Sequence, residues 1–190
     1  MNFSAVILAG GKSSRMGRDK AFLEIGGTTL LARQIGLARE LGAAEIFISG
    51  RAETNYSKFN RRVLQDKFPA AGPLAGIERA LDLISTPLLL VLAVDLPEIN
   101  AELLRALAAN CSENFGAIPR VKENLEPLAA FYPKSAQSLA ETLLRAKKNV
   151  VADFAKECVQ AGLARFVEMS ASEANCFANW NSPADLSCTT

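Results

Sequence analysis

The chain has 190 residues, 49% of them hydrophobic, 22% charged and 7% aromatic. A chain of this length buries roughly 70% of its unfolded surface and needs no disulfide or metal staple. Its 21 Lys and Arg nearly cancel its 20 Asp and Glu, leaving +1, which argues against a protein that coats nucleic acid through bulk charge. There is no histidine, so a Ser-His-Asp triad, a Cys-His dyad and every His-containing metal site are excluded. Chemistry falls to carboxylates, Lys, Arg, hydroxyls, backbone amides or an oxygen-ligated metal.

Strand-like and helix-like segments alternate from the first residues. Ser4–Leu8 reads as a short apolar strand, and Thr29–Leu41 has apolar residues at helical spacing until Gly42 stops it. Glu45–Ser49 reads as a strand, Arg62–Leu64 as a short one, and Leu74–Ile84 as a helix entered through Gly72-Pro73. Leu88–Val94 is apolar at every position, as in parallel strands covered on both faces. Asn100–Asn110 begins with a good helix cap. The first ~110 residues thus predict a βαβαβαβ succession. Further on, Phe115–Pro119, Leu128–Tyr132, Ala164–Glu168 and Asn175–Phe177 read as strands. Lys134–Ala146 and Val150–Ala161 read as helices, and Ser182-Pro183 opens a short terminal one. No linker, repeat or low-complexity tract interrupts the chain. The expectation is one α/β domain over residues 1–190: a single doubly wound, mostly parallel sheet with helices on both faces.

The four cysteines, Cys111, Cys158, Cys176 and Cys188, form no CxxC pair, so a zinc ribbon or thioredoxin-like site is not expected. They read as reduced thiols of a cytoplasmic protein. The first apolar run, Ala5–Ala9, lacks the basic start of a signal peptide, and Pro87–Val94 is far shorter than the ~20 residues that span a bilayer. Neither a targeting segment nor a membrane partner is expected.

In open α/β sheets, ligands bind beyond the carboxyl ends of the strands. Three segments fall there: the loop after the first strand, the stretch Asp66–Gly76, and Asp95. The loop reads LAGGKSSRMGRDKAFL from Leu8 to Leu23, with Gly10-Gly11 followed by Lys12, Arg15, Arg18 and Lys20 against a single acid, Asp19. Bare backbone amides together with Arg and Lys suit a triphosphate. The spacing is neither a Walker A loop nor a dinucleotide-binding GxGxxG. Asp95 ends the most buried strand, where a carboxylate is costly unless solvated, paired or metal-bound.

The loop resembles the signature LAGGxSxRMGxDKxxL of the molybdenum cofactor guanylyltransferases, within the nucleotidyltransferase superfamily. Leu8-Ala9-Gly10-Gly11, Ser13, Arg15-Met16-Gly17, Asp19-Lys20 and Leu23 all fall in place. The family's Asp followed by GPLAG is matched by Asp66 and Gly72–Gly76, and its Asp-x-Pro by Asp95-Leu96-Pro97, where Leu96 replaces the more usual Met or Thr. Glu126–Tyr132 resembles EPLxAxY, and Asn179–Leu186 resembles NxNTPxDL with Ser for Thr. The likeness runs from Ala5 to Leu186 and is weakest over Ser135–Ser172.

The resemblance implies a Rossmann-like nucleotidyltransferase fold, with residues 1–110 on the nucleotide side and 111–190 on the acceptor side. It implies GMP transfer from GTP to the terminal phosphate of molybdopterin, with release of pyrophosphate. Leu8, Ala9, Gly10, Gly11, Lys20, Asp66 and Asp95 would bind the nucleotide, and Arg15, Lys20 and Asp95 would be catalytic. Asp95 would hold Mg2+ as the cofactor, and Asn179 and Asn181 would face the acceptor. Molybdoenzymes or their chaperones are implied as transient partners, and nucleic acid is not. Ser49, Gly50 and Arg51, just past the second strand, receive no role. Other readings are cytidylyl or sugar-phosphate transfer, and a non-catalytic nucleotide or cofactor carrier.

Overall fold

The computed structural model describes residues 1–10 and 19–178. The strands are β1 (Phe3–Leu8), β2 (Glu24–Ile25), β3 (Thr28–Thr29), β4 (Ile46–Ser49), β5 (Arg62–Leu64), β6 (Leu88–Ala93), β7 (Gly116–Val121), β8 (Asn124–Leu125), β9 (Ala129–Pro133) and β10 (Ala164–Glu168). The α-helices are α1 (Leu30–Glu40), α2 (Pro73–Leu83), α3 (Ala101–Ala108), α4 (Gln137–Arg145) and α5 (Val151–Gln160).

The main sheet has the order β5-β4-β1-β6-β9-β7-β10, with β8 paired to β7. β5, β4, β1 and β6 are parallel, β9 runs against both β6 and β7, and β10 is parallel to β7. The sheet is therefore mixed but mostly parallel, as expected. Every residue of β1 and of β6 is buried. Ala5 and Ile7 of β1 pack with α1 and α3, while Val6 and Leu8 pack with α2, and the same cluster takes in α4 and α5. Two covered faces explain why β6 is apolar throughout instead of alternating, and the one polar residue of β1, Ser4, has its hydroxyl hydrogen-bonded to Glu45 and Thr86.

Local chemistry sets the helix starts. The Thr29 hydroxyl accepts from Ala32 N (3.2 Å) at α1, and Asn100 Oδ1 accepts from Leu103 N (3.0 Å) at α3. At α2, Gly72 takes φ +74° and Pro73 fills the first helical turn, where its missing N–H costs nothing.

Three details differ from the sequence expectation. β4 and β5 are joined by a short 3-10 turn, Ser57–Phe59, and not by an α-helix, so the strict βαβαβαβ succession fails there. Asn175–Phe177 is not a strand: Glu173–Phe177 forms a 3-10 turn, its start tied by Ser170 N and Oγ donating to the Glu173 carboxylate. The hairpin β2–β3 goes unnoticed in the periodicity because each strand is two residues long. Gly26 and Gly27, at φ +56° and +77°, make its turn. The terminal helix lies outside the described residues. Among the described residues no helix is long and apolar enough to cross a membrane.

Candidate active site

The chain order in the sheet reverses beside β1. From β1 it moves outward to β4 and β5, then returns through α2 to place β6 on the other side. The carboxyl ends of β1 and β6 meet at this reversal, the place where open α/β sheets bind ligands. Val94 N donates to Leu8 O (3.1 Å), so the ladder holds both strands together up to the point where each chain leaves the sheet. Ala9 N donates to Ser49 O (2.7 Å), which pins the start of the glycine loop to β4. Leu8 and Ala9 are buried and Gly10 is exposed, so the backbone emerges into solvent at the glycine.

Lys20 and Asp95 face each other across this end of the sheet, with Nζ 3.6 Å from Oδ2. Their side chains are only 15% and 30% exposed. Lys20 opens a 3-10 turn capped by Asp19, whose Oδ1 accepts from Ala21 N (3.0 Å). Below the turn, Phe22 stacks on Tyr56 at 5.9 Å between ring centroids, which anchors it to the segment after β4. A lysine and a carboxylate half-withdrawn from water at a strand end form a polar pair whose two members can each take up a charged ligand group. Its own contribution to stability is small, about 0–1 kcal/mol for a pair still reached by solvent.

The residues after β4 have packing roles. An added Cβ at Gly50 would lie 2.6 Å from Tyr56 Oη, so only glycine fits, and Arg51 N donates to that same oxygen (3.2 Å). Gly76, in the GPLAG segment, lets α2 approach the strand ends. A Cβ there would lie 2.8 Å from Ser49 Cβ and 3.2 Å from Leu8 Cδ2.

Asp66 stands apart from the Lys20–Asp95 pair. It follows β5, two strands from β1, and the charges acting on it among the described residues are Glu78 and Arg79 of α2. The protein packed around its carboxyl raises its pKa, Glu78 adds to the rise and Arg79 opposes it. Glu78 itself is fully buried: its Oε1 accepts from Gln137 Nε2 (2.8 Å) and Lys67 Nζ (3.4 Å). These contacts tie the Asp66 segment to α2 and α4, and no motif in the sequence points to them. In the Glu126–Tyr132 segment, burial raises the pKa of Glu126. Tyr132 is a core residue that donates to Pro127 O (2.9 Å) and packs on Phe154. Burial pushes the Cys111 and Cys158 thiols up to about 12, so neither is a nucleophile at neutral pH. Gly11, Arg15, Asn179 and Asn181 lie outside the described residues.

Among the described residues no group of three or more His, Cys, Asp or Glu is placed to hold a metal. A preformed all-protein cage is therefore not what these residues build. One accessible carboxylate at the crevice, Asp95, fits the way Mg2+ is bound, through one or two carboxylates together with substrate phosphates.

Gly10, where the backbone emerges, and the Lys20–Asp95 pair lie at the reversal point of a mostly parallel sheet, the place where such folds bind ligands. Residues 5–161 match the MobA-like NTP transferase domain, and the chain belongs to that family. It is 40% identical to the probable molybdenum cofactor guanylyltransferase of Opitutus terrae over 185 residues, covering 96% of this chain and 92% of the relative. Molybdopterin-guanine dinucleotide biosynthesis protein A from Archaeoglobus fulgidus superposes with a TM-score of 0.75 at 22% identity, over 96% of this chain and 94% of that one. The 2-C-methyl-D-erythritol 4-phosphate cytidylyltransferase of Thermus thermophilus does so with a TM-score of 0.70 at 22% identity, over 98% and 96%. These two structures share the fold, which carries enzymes named for different nucleotides.

Proposed function

We propose that this chain transfers GMP from GTP to the terminal phosphate of molybdopterin, releasing pyrophosphate and forming the guanine dinucleotide cofactor. The observation that carries the reading is the Lys20–Asp95 pair at the mouth of the β1–β6 crevice, beside a loop that opens with Gly10. The name of the Opitutus terrae relative supports the choice of substrates.

In the reaction a molybdopterin phosphate oxygen forms a bond to the α-phosphorus of GTP, and the bond from that phosphorus to the β-phosphate oxygen breaks. The attacking monoester is already largely ionised near neutral pH, its second pKa lying near ~6. It needs no general base, in keeping with a chain that has no histidine. The protein's task is positioning and charge stabilisation. The backbone of Leu8–Gly11 cradles the phosphates, Lys20 and Arg15 neutralise charge on the departing pyrophosphate, and Asp66 serves the nucleotide side. Asn179 and Asn181 serve the acceptor. Asp95 would hold Mg2+, which when bound reduces phosphate repulsion and polarises the α-phosphoryl group. Lys20 would meet a phosphate of the nucleotide, and Asp95, which faces Lys20, would hold the metal. The reading divides the domain at about residue 110 into nucleotide and acceptor sides. It places the enzyme in the cytoplasm, with molybdoenzymes or their chaperones as transient recipients of the product.

The test is pyrophosphate release in the presence of molybdopterin and Mg2+, with GTP, CTP, ATP and UTP compared at equal concentration. GTP should give the highest kcat/KM. Turnover with CTP equal to or above that with GTP would overturn guanylyl transfer and leave cytidylyl transfer in its place.

A further inference from the structure

α1 grips the chain on both sides of the crevice. At its start, Leu30 N donates to Leu23 O (2.8 Å), three residues beyond Lys20. One turn later, Gln34 Nε2 donates to Leu96 O (2.8 Å) and Arg33 Nη2 donates to Pro97 O (3.2 Å). Two consecutive side chains of one helix thus hold two consecutive carbonyls immediately after Asp95.

Gln34 is 2% exposed, an uncommon place for a glutamine, since burying an amide costs free energy unless its hydrogen bonds are made. Its donor is spent on Leu96 O, while Oε1 has no hydrogen-bond partner among the described residues. A residue kept only for packing would be served as well by Leu or Met. The chain leaves the β6 ladder after Val94, whose N–H is still bonded to Leu8 O. Leu96 O therefore lies beyond the sheet, and Gln34 supplies the bond that the sheet no longer can. Asp95 is held on its N-terminal side by the ladder and on its C-terminal side by Gln34.

We propose that Gln34, assisted by Arg33, is the positioning residue that fixes the Asp95 carboxylate opposite Lys20 in the geometry that accepts the divalent cation of the metal–nucleotide substrate. This rests on the assignment of Asp95 in the proposed function. Outer partners that orient a metal-binding group commonly govern affinity by about 10–100-fold.

The test titrates Mn2+ into the full chain with GTP and without molybdopterin, reading free Mn2+ by electron paramagnetic resonance. Wild type is compared with Gln34→Met, Arg33→Met and Asp95→Asn. Gln34→Met keeps the side-chain volume and removes the donor. Its apparent Mn2+ dissociation constant should rise about tenfold, with GTP binding in EDTA unchanged. Arg33→Met, an exposed substitution, should show a smaller rise. In the Asp95→Asn background, Gln34→Met should add nothing, because Gln34 acts through Asp95. Wild-type Mn2+ affinity in Gln34→Met, with Asp95→Asn weakened, overturns the positioning role and leaves the functional reading intact. Wild-type affinity in Asp95→Asn overturns the assignment of Asp95 and this inference with it. If Gln34→Met does not fold, Arg33→Met decides: wild-type affinity there overturns the proposal.

Discussion

Gly76 shows how one residue type can have either sign of effect. In an ordinary helix, Gly→Ala stabilises by about 0.5–1 kcal/mol through backbone entropy. Here the added Cβ would stand 2.8 Å from Ser49 Cβ, in a strand end that also bonds the Ala9 amide. Overpacking of that kind costs about 1–3 kcal/mol and outweighs the gain. Gly76→Ala should therefore lower the urea midpoint, and in a Ser49→Gly background the same change should be neutral or stabilising. An equal loss in both backgrounds would contradict the clash. The sequence shows a glycine in the right place for close backbone approach, but not the residue it approaches. Ser49 and Gly76 are 27 positions apart by number and meet only through the sheet. The same holds for Gln34, which reads as one polar position on an amphipathic helix until its partner Leu96 is brought to it.

At the scale of elements, Glu45, just before β4, is bonded to β1 and to the segment leading into β6, at the end of the sheet away from the site. Its carboxylate accepts from the Ser4 hydroxyl of β1 (2.8 Å) and from Ser85 N and Oγ (3.0 Å each), just before β6. Burial pushes its pKa up. The bonds from Ser85 and Ser4 and the charge of Lys134 outweigh that and leave it below the usual 4.5. A group whose folded pKa is depressed stabilises fully above its unfolded value and loses that contribution as pH falls through the folded value. Urea midpoints of wild type should therefore fall more steeply than those of Glu45→Gln as pH drops below about 4.5, the total difference being about 1 kcal/mol for a partly exposed group. Parallel curves would contradict the linkage. Most elements were legible in advance because their signals are local: the Thr29 and Asn100 caps, the Gly72-Pro73 entry, the unbroken apolar run of β6. The elements that were not legible are those too short to show a period, the Gly26-Gly27 hairpin and the turn at Glu173–Phe177.

Across the whole molecule, the site exists because the strand order reverses at β1, bringing a turn from the start of the sequence against a carboxylate some 75 residues later, Lys20 against Asp95. The sequence motifs single out both residues, but only the fold makes them neighbours. Asp66 belongs to the same set of motifs yet follows β5, two strands from β1, with the α2 charges Glu78 and Arg79 acting on it. α1 spans the distance between the two halves of the crevice and ties each to the same rigid element. The most direct test of this arrangement is pyrophosphate release from GTP with Mg2+ and molybdopterin, wild type against Asp95→Ala. Wild type should turn over, and the variant should lose about 10²–10³-fold in kcat, the scale set by removing one transition-state-stabilising group, while remaining folded. Equal turnover in both proteins would contradict the role given to Asp95. Failure of wild type to release pyrophosphate, with GTP still bound, would contradict the transfer reaction itself.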